Sequence, residues 1–590
     1  VDRHFANLLL RKGAAAELGH VFAKLSQTLG QQNSCLPIID ESLLAALSEA
    51  NCVTEFTSEE ARAQHDISTP LVLVRANQSE GYLYTNRFFQ YEVRIANAIV
   101  SRNQPVANGA ARAKALQGFL TDADDPLQVT AATQAVLRQL TIITGGPGTG
   151  KTSTVVKILA GLLKAEGDLQ IRLAAPTGKA AMRLSESILV AAKRLNLNVP
   201  AEVSTLHRLL GVRGDGRSYR YHPNNPLPVD VLILDEASMI DIVMFDRLLA
   251  ALPQATRLIM LGDPFQLPSV ESGCVLGDLT AQGTCYSAGF RQQIAELKEQ
   301  QLTNIDLAGE PSEHPLADSH CALKTSYRFK DDAGIGRLAS LLRSATLPPD
   351  ETEDFAHDDA VIIRRQFSPD TVLEAMTELY EQYLKACHEH ADAPRLLELF
   401  EQARLLTPVK EGDFGVHQLN QRFTVKNFPD AEPYYHGKPV MIEQNHYALR
   451  LFNGDVGICV RRGQRIEVAF RSLDGGIEYF LPSRLPQHDT CFAMTVHKSQ
   501  GSEFDQVCLV LPDTSQEEFI SRELVYTGVT RCRQHLTLFT TQALTSSRPH
   551  ERISGLKRQF ELAPNSAARS NGASTNDGKD ENSNGQLGLF

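Results

Sequence analysis

Residues 141–159, TIITGGPGTGKTSTVVKIL, carry the spacing Gly145-x-x-x-x-Gly150-Lys151-Thr152, a pattern that cradles phosphates. Glycines let successive backbone N–H groups point at phosphate oxygens with no Cβ in the way. Gly145, Gly146, Pro147, Gly148, Thr149, Gly150 and Ser153 therefore form a candidate cradle around Lys151 and Thr152. Lys151 suits the β- and γ-phosphates, and the Thr152 hydroxyl suits Mg²⁺. Downstream, LILDEAS (232–238) ends an apolar run with two adjacent carboxylates. Asp235 is placed to hold Mg²⁺ through water, and Glu236 to orient and deprotonate an attacking water. In LGDPFQLPSV (261–270), Gln266 is long enough to reach a γ-phosphate. The segments LKTSYRF (323–329) and YTGVTRCR (526–533) add Arg328 and Arg531, read here as guanidiniums that a second lobe extends across a cleft to stabilise transition-state charge. The chemistry is binding and hydrolysis of a nucleoside triphosphate. What the energy drives stays open at this point, because kinases, GTPases and motors share such a loop.

These residues need strands and helices to hold them. LTIIT (140–144) reads as a buried strand, and STVVKILAGLLKAEG (153–167) as a helix that presents its N-terminus to the phosphates. Further strands are expected at IRLAAP (171–176), VLILDE (231–236) and RLIMLGDP (257–264), with helical patterns between them. That alternation implies a parallel sheet covered on both faces. The Pro/Asp/Glu-rich run PPDETEDFAHDD (348–359) reads as a boundary, so 111–347 forms a first lobe and 348–564 a second. The second lobe opens with VIIRR and one helix over 368–390, capped by Ser368 with Pro369 at its first position. Its later strands are expected at ARLLTP (403–408), VCLVLP (507–512) and HLTLFT (535–540). Within it, residues about 435–485 turn into short β-rich pieces with Gly turns, as in a small inserted barrel. Residues 1–110 read as mainly helical segments around short apolar pieces such as LVLVR (71–75), and the Asn/Ser/Gly-rich tail 565–590 as disordered. The fold class expected is α/β.

At 590 residues the chain is long enough for several domains, and 42% hydrophobic with 22% charged residues is an ordinary globular balance. No stretch resembles a membrane span, and the first residues lack the basic-then-apolar pattern of a signal peptide. The ten cysteines include no C-x-x-C pair, which favours a reducing cytoplasm. CHEH (387–390) is read as a solvated helix end rather than a metal cluster. A net charge of −12 argues against nonspecific coating of nucleic acid while allowing a narrow basic channel. No N-K-x-D motif of GTPases occurs, nor an LSGGQ-like stretch of transporter ATPases.

The motifs GGPGTGKT, APTGKAA, TLHRLLG, LILDEAS, GDPFQLPSV, SYRF, TVHKSQGSEF and YTGVTR occur in that order over residues 120–545. In order and wording they resemble the superfamily-one DNA helicases, in the branch that moves 5′ to 3′. The resemblance implies two RecA-like P-loop lobes, ATP with Mg²⁺, and stepping along single-stranded DNA as the lobes close and open. It implies an adenine-reading role for Gln128 and nucleotide-side places for Gln500, Gly501 and Glu503. It implies strand contacts from Thr177, Lys179, Thr205 and His207 in the first lobe and from Thr495 and His497 in the second. Residues 211–228 form an expected hairpin turning at Asp215-Gly216, a strand-separating wedge by resemblance or a decorative hairpin by chemistry alone. The insert resembles an SH3-like barrel that grips the strand.

Within the branch the wording is closest to a motor subunit of a heterotrimeric helicase–nuclease complex acting on duplex ends. Residues 1–110 then dock onto two partner subunits, being shorter than the extension of stand-alone relatives. Outside the motor motifs there is no carboxylate-and-lysine cluster for DNA cleavage, so nuclease activity is expected in a partner. The alternatives are a stand-alone 5′-to-3′ helicase and an ATP-switched scaffold that does not translocate. The terminal QLGLF (586–590) resembles peptides that insert into a bacterial sliding clamp, or is simply an apolar chain end.

Overall fold

Continuous apolar runs that end in turn residues form two all-parallel sheets, the arrangement expected of strands buried on both faces. The computed structural model describes residues 2–12, 14–57, 60, 67–121, 123–194, 203–213, 218–299, 305–307, 309–329, 334–344, 355, 358–429, 432–472, 476–513, 520–542, 544 and 552–562. The expected tail and QLGLF lie outside these residues, as do the Asp215-Gly216 turn and most of 348–359.

The first strands are β1 (Leu36–Ile38), β2 (Val53–Thr57), β3 (Leu71–Arg75) and β4 (Gly81–Thr85), in a mixed sheet of order β1-β4-β3-β2. Helices Asp2–Leu10, Gly19–Gly30 and Glu41–Ser48 accompany this sheet, with Leu18, Phe22, Leu25 and Leu44 in the shared core. A sheet thus organises the N-terminal part, where only helices around apolar pieces were expected. Its strands span three to five residues, too short for an alternating pattern to declare itself.

The first lobe is built on β5 (Leu140–Gly145), β6 (Ile171–Ala175), β7 (Val203–Thr205), β8 (Val231–Leu234), β9 (Arg257–Gly262) and β10 (His320–Leu323). Their order is β10-β5-β9-β8-β6-β7, every pairing parallel. Every residue of β5, β8 and β9 is buried. Apolar layers cover both faces, one containing Val155, Ile158 and Leu162 and the other Phe245, Leu248 and Leu206. Residues 210–213 and 218–221 run antiparallel, with Tyr221 N–H donating to Leu210 O at 3.1 Å and Arg213 N–H to Ser218 O at 2.9 Å. They form the two arms on either side of the expected hairpin turn.

In the second lobe, β11 (Val361–Arg364) and β12 (Ala403–Thr407) precede the insert of β13 (Pro439–Ile442), β14 (Val456–Arg462), β15 (Arg465–Arg471), β16 (Ile477–Phe480) and β17 (His488–Thr490). The insert is an antiparallel sheet of order β16-β15-β14-β13-β17, with Val440, Ile442, Cys459, Val468 and Phe470 in a core of its own. The chain then returns through β18 (Ala493–Thr495), β19 (Phe504–Leu511) and β20 (Cys532–Thr540) to complete the parallel order β11-β20-β19-β12-β18.

Two expectations are corrected here. The single helix over 368–390 is two, Pro369–Leu379 and Glu381–His388. Between them Tyr380 leaves helical geometry (φ −103°, ψ 14°), with its ring stacked on Phe400 and its hydroxyl donating to Phe492 O at 2.6 Å. Ser368 does cap the first helix, in a reciprocal box with Thr371. Residues 552–562, assigned by sequence to the second lobe, instead pack on the helix Asn86–Arg102, and Leu556 and Phe560 join the first lobe's core. None of the ten cysteines forms a disulfide.

Candidate nucleotide and single-strand site

The first sheet gathers its polar residues at the carboxyl ends of its strands, where open α/β sheets bind ligands. The phosphate loop follows β5, Thr177 follows β6, Asp235 and Glu236 follow β8, Gln266 follows β9 and Arg328 follows β10. The loop turns through Gly148 (φ 79°) and Gly150 (φ 83°) into the helix Lys151–Glu166. A Cβ at Gly148 would collide with the Arg328 Cβ, and one at Gly150 with the Gln128 amide. Lys151 Nζ donates to Gly145 O at 2.6 Å and to Gly146 O at 3.1 Å. Tyr327 N–H donates to Gly148 O at 2.9 Å, so the SYRF segment lies along the loop. Arg328 therefore hangs from the first lobe, and its expected origin in the second is corrected.

A cavity of about 290 Å³ lies at this edge. The loop from Pro147 to Ser153 lines it, with Asp235, Glu236, Gln266, Arg328, Gly501, Glu503 and Arg531. Burial first and the neighbouring Glu236 carboxylate second push Asp235 up to about 6, against the pull of Lys151. Glu236 takes a left-handed conformation (φ 51°) while its N–H donates to Asp235 Oδ1 at 2.9 Å. A non-glycine residue held there is strained, and such strain concentrates at functional sites.

The far wall belongs to the second lobe. Arg531 is buried, its Nε donating to Thr527 O at 3.2 Å and its Nη1 to Ser502 O at 3.1 Å. Glu503 pairs with Arg183 and, at 2.6 Å, with Arg328 from the first lobe, and with Arg533 at 3.0 Å from its own. Burial alone would raise the Glu503 carboxyl, but Arg183 and Arg328 outweigh it and hold it at about 2. Asp263 Oδ2 accepts from the Tyr526 hydroxyl at 2.9 Å across the cleft and from Gln266 Nε2 at 3.3 Å.

Two nucleotide-side assignments differ from expectation. Gln128 is buried beneath the loop, with Nε2 on Thr149 O at 3.1 Å, and is outside the cavity lining. Gln500 donates to Leu267 O at 2.9 Å and faces a second cavity of about 210 Å³, not the nucleotide one. That second cavity brings together Thr177, His207, Met239, Met244, Val270 and Glu271. The other strand candidates lie outside its lining. Thr205 Oγ1 accepts from Arg208 N–H at 3.3 Å and Thr495 Oγ1 from Lys498 N–H at 3.3 Å. Lys179 sits where the first lobe meets the insert, beside the close packing of Gly178 on Phe452. Burial first, then Arg404, lowers its ammonium to about 8. Burial first, then the Arg552 guanidinium, lowers the His497 imidazole.

Sequence reasoning missed Arg183, Asp263 and Tyr526. For Arg183 a signal existed: Ala180, Arg183, Leu184 and Ser187 all line the cavity and share one face of the helix Gly178–Arg194.

Two family models match the chain, the AAA domain over residues 128–272 and the UvrD-like helicase C-terminal domain over residues 490–539. The RecBCD enzyme subunit RecD of Haemophilus influenzae is 37% identical over 458 residues, covering 71% of this chain and 69% of that protein. The protein of the same name from Mycolicibacterium smegmatis is 35% identical, covering 74% and 75%. The ATP-dependent RecD2 DNA helicase of Deinococcus radiodurans is 29% identical, covering 82% of this chain and 59% of that one. Two sheets with a phosphate loop between them, joined to a relationship of that extent, place the chain in the RecD family.

Proposed function

We propose that the chain is an ATP-dependent 5′-to-3′ DNA helicase, the motor subunit of a cytoplasmic heterotrimer with RecB-like and RecC-like partners that processes duplex DNA ends for recombinational repair. One observation carries the motor reading: the hydrolytic groups are divided across a cleft, with the phosphate loop, Asp235 and Glu236 on one lobe and Glu503 and Arg531 on the other. A cavity assembled from both lobes makes hydrolysis depend on closure, and closure depend on the nucleotide.

In this reading Lys151 leaves the Gly145 and Gly146 carbonyls to bind β- and γ-phosphates, and the loop's N–H groups hold the same oxygens. Arg328 and Arg531 meet charge that develops as the γ-phosphoryl departs. Glu236 orients the attacking water and takes its proton, and Gln266, steadied by Asp263, reaches the γ-phosphate. Thr152 and Asp235 present oxygen donors to one cavity, a set that fits Mg²⁺. Bound there, Mg²⁺ neutralises phosphate charge. Gln128, seated under the loop, turns its amide to an adenine edge only after releasing Thr149.

Thr177, Lys179, Thr205, His207, Thr495 and His497 are assigned to the strand path, where contacts to phosphates give a grip nearly blind to sequence. Residues 1–110 serve as the partner-docking domain, 111–347 and 348 to about 544 as the motor lobes, 211–228 as the wedge, and the antiparallel insert as an SH3-like barrel on the strand. Any nuclease activity belongs to a partner.

The test is ATPase and unwinding on duplexes with a 5′ or a 3′ single-stranded tail, using wild type and Lys151→Gln, alone and with the partners. Unwinding from the 5′ tail only, lost in the variant, is the expected result. Hydrolysis without unwinding from either tail, even with partners, defeats the translocating reading in favour of an ATP-switched scaffold.

A further inference from the structure

The loop that leaves β9 after Gln266 is held at both ends by distant parts of the chain. At its start, Leu267 N–H donates to Thr527 Oγ1 at 2.8 Å and Leu267 O accepts from Gln500 Nε2 at 2.9 Å, both from the second lobe. At its end sits Arg552, beyond β20. Its guanidinium donates to Ser269 O at 2.5 Å, Gly273 O at 2.7 Å, Glu271 O at 2.9 Å and Ser269 Oγ at 3.3 Å. It also donates to Gln32 Oε1 of the N-terminal domain, and Gly273 N–H donates to Gln32 O at 3.0 Å. Ser269, Val270 and Glu271 are walls of the cavity that holds Thr177 and His207. A planar fork of five N–H donors suits such a fan of carbonyls, which an ammonium cannot span.

The next three residues of the chain fix Arg552 in turn. Ile553 N–H donates to Asn33 Oδ1 at 2.6 Å, and Ser34 N–H to Ile553 O at 3.0 Å. Buried Glu92 accepts from Ser34, Ser554 and the Gly555 N–H. A Cβ on Gly555 would run into the Tyr84 hydroxyl.

We infer that Arg552 is a positioning residue for the strand path: it fixes the 269–273 loop that walls the cavity and ties it to the N-terminal domain, so that grip on single-stranded DNA depends on how that domain is seated. The inference rests on the strand-binding reading above. The loop pre-formed by Arg552 need not be ordered when the strand binds, and the N-terminal domain gains a mechanical line to the strand path that bypasses the nucleotide.

The experiment titrates ATPase of the full chain, alone and in the reconstituted complex, with an oligothymidylate. Arg552→Ala raises the half-saturating oligonucleotide concentration roughly three- to tenfold, while the KM for ATP and the DNA-saturated kcat stay within about twofold of wild type. Arg552→Lys restores part of the shift. Gly555→Ala, which unseats the segment without touching the loop, moves the same parameter in the same direction. Should Arg552→Ala fail to fold, the other two variants decide on the same terms. Titrations matching wild type overturn the inference, as does a fall in kcat and melting temperature with half-saturation unmoved. A wild type that DNA does not stimulate instead removes the strand-binding reading itself.

Discussion

The Arg328 guanidinium, suspended from the first lobe, meets the Glu503 carboxylate of the second at 2.6 Å. Arg183 reaches the same carboxylate from its helix, so one acidic group gathers two cations of the opposite lobe. The Glu503 charge thus holds both guanidiniums at the edge of the cavity that the phosphate loop lines.

Glu503→Gln removes that charge while keeping the shape. It is expected to lower DNA-stimulated kcat by about tenfold to a hundredfold, because misplaced arginines cost that much even when the reacting groups remain. Steady-state ATPase with a circular dichroism spectrum as the folding control checks it. The carboxyl is held at about 2, below the ordinary carboxylate range. The pairing's contribution is therefore complete above that range and is lost only as pH falls through about 2, so ATPase between pH 5 and 8 takes no inflection from it.

Glu236→Gln separates binding from chemistry. The amide fills the same space after β8 but cannot take a proton from water. ATP affinity measured with a fluorescent analogue is expected to change by less than about threefold, with kcat down on the order of a hundredfold to a thousandfold.

Lys151→Gln acts earlier in the cycle. In the proposed reading, removing the ammonium takes from the γ-phosphate a cation of the first lobe. Hydrolysis is expected to fall on the order of a hundredfold or more, with DNA-dependent stimulation abolished.

The nucleotide side was legible because continuous apolar strands end in short motifs. β5, β8 and β9 are buried on both faces, so their sequences show as unbroken runs, and Lys151, Asp235 and Gln266 follow within a few residues. Gln500 lies away from its expected place for the opposite reason. It shares a motif with Gly501 and Glu503, yet a turn at Gly501 (φ 72°) sends neighbouring side chains into different cavities. The β-rich insert was visible from its Gly turns, whereas β1, β2 and β4 were too short to show. Arg552 had no local signal at all. Its partners lie 279 to 520 positions away in the chain, and no periodicity encodes such contacts.

Stability should also fall as pH rises from 5 to 8. Glu92 and Asp278 are both pushed to about 7, by burial first; for Asp278 the nearby Glu92 carboxylate adds to it, opposed by a hydrogen bond from Ser554 and then by Lys557. The neighbouring Cys35 and Tyr84 are raised well above their ordinary values and stay neutral over this range. The folded state thus keeps protons that the unfolded chain has released. The stabilisation is full below the ordinary carboxylate range and is lost as pH climbs through about 7, on the order of 3–4 kcal/mol for each group. Glu92→Gln, whose amide oxygen still accepts from Gly555 N–H, is expected to flatten this slope. Melting temperatures of wild type and variant across the pH range measure it.

The seating of Ile553 against Asn33 and Ser34 joins residues 519 and 520 positions apart. During synthesis the N-terminal sheet emerges first, but its neighbour across this seam leaves the ribosome only after both parallel sheets have been made. Until then Glu92 lacks the Ser554 and Gly555 donors, and the loop after β9 lacks its guanidinium. A chain that stops before Arg552 holds the residues of both parallel sheets but none of the seam's C-terminal side. The N-terminal sheet therefore gains its contacts with Ile553 and Gly555 last of all, when the residues of both parallel sheets are already present.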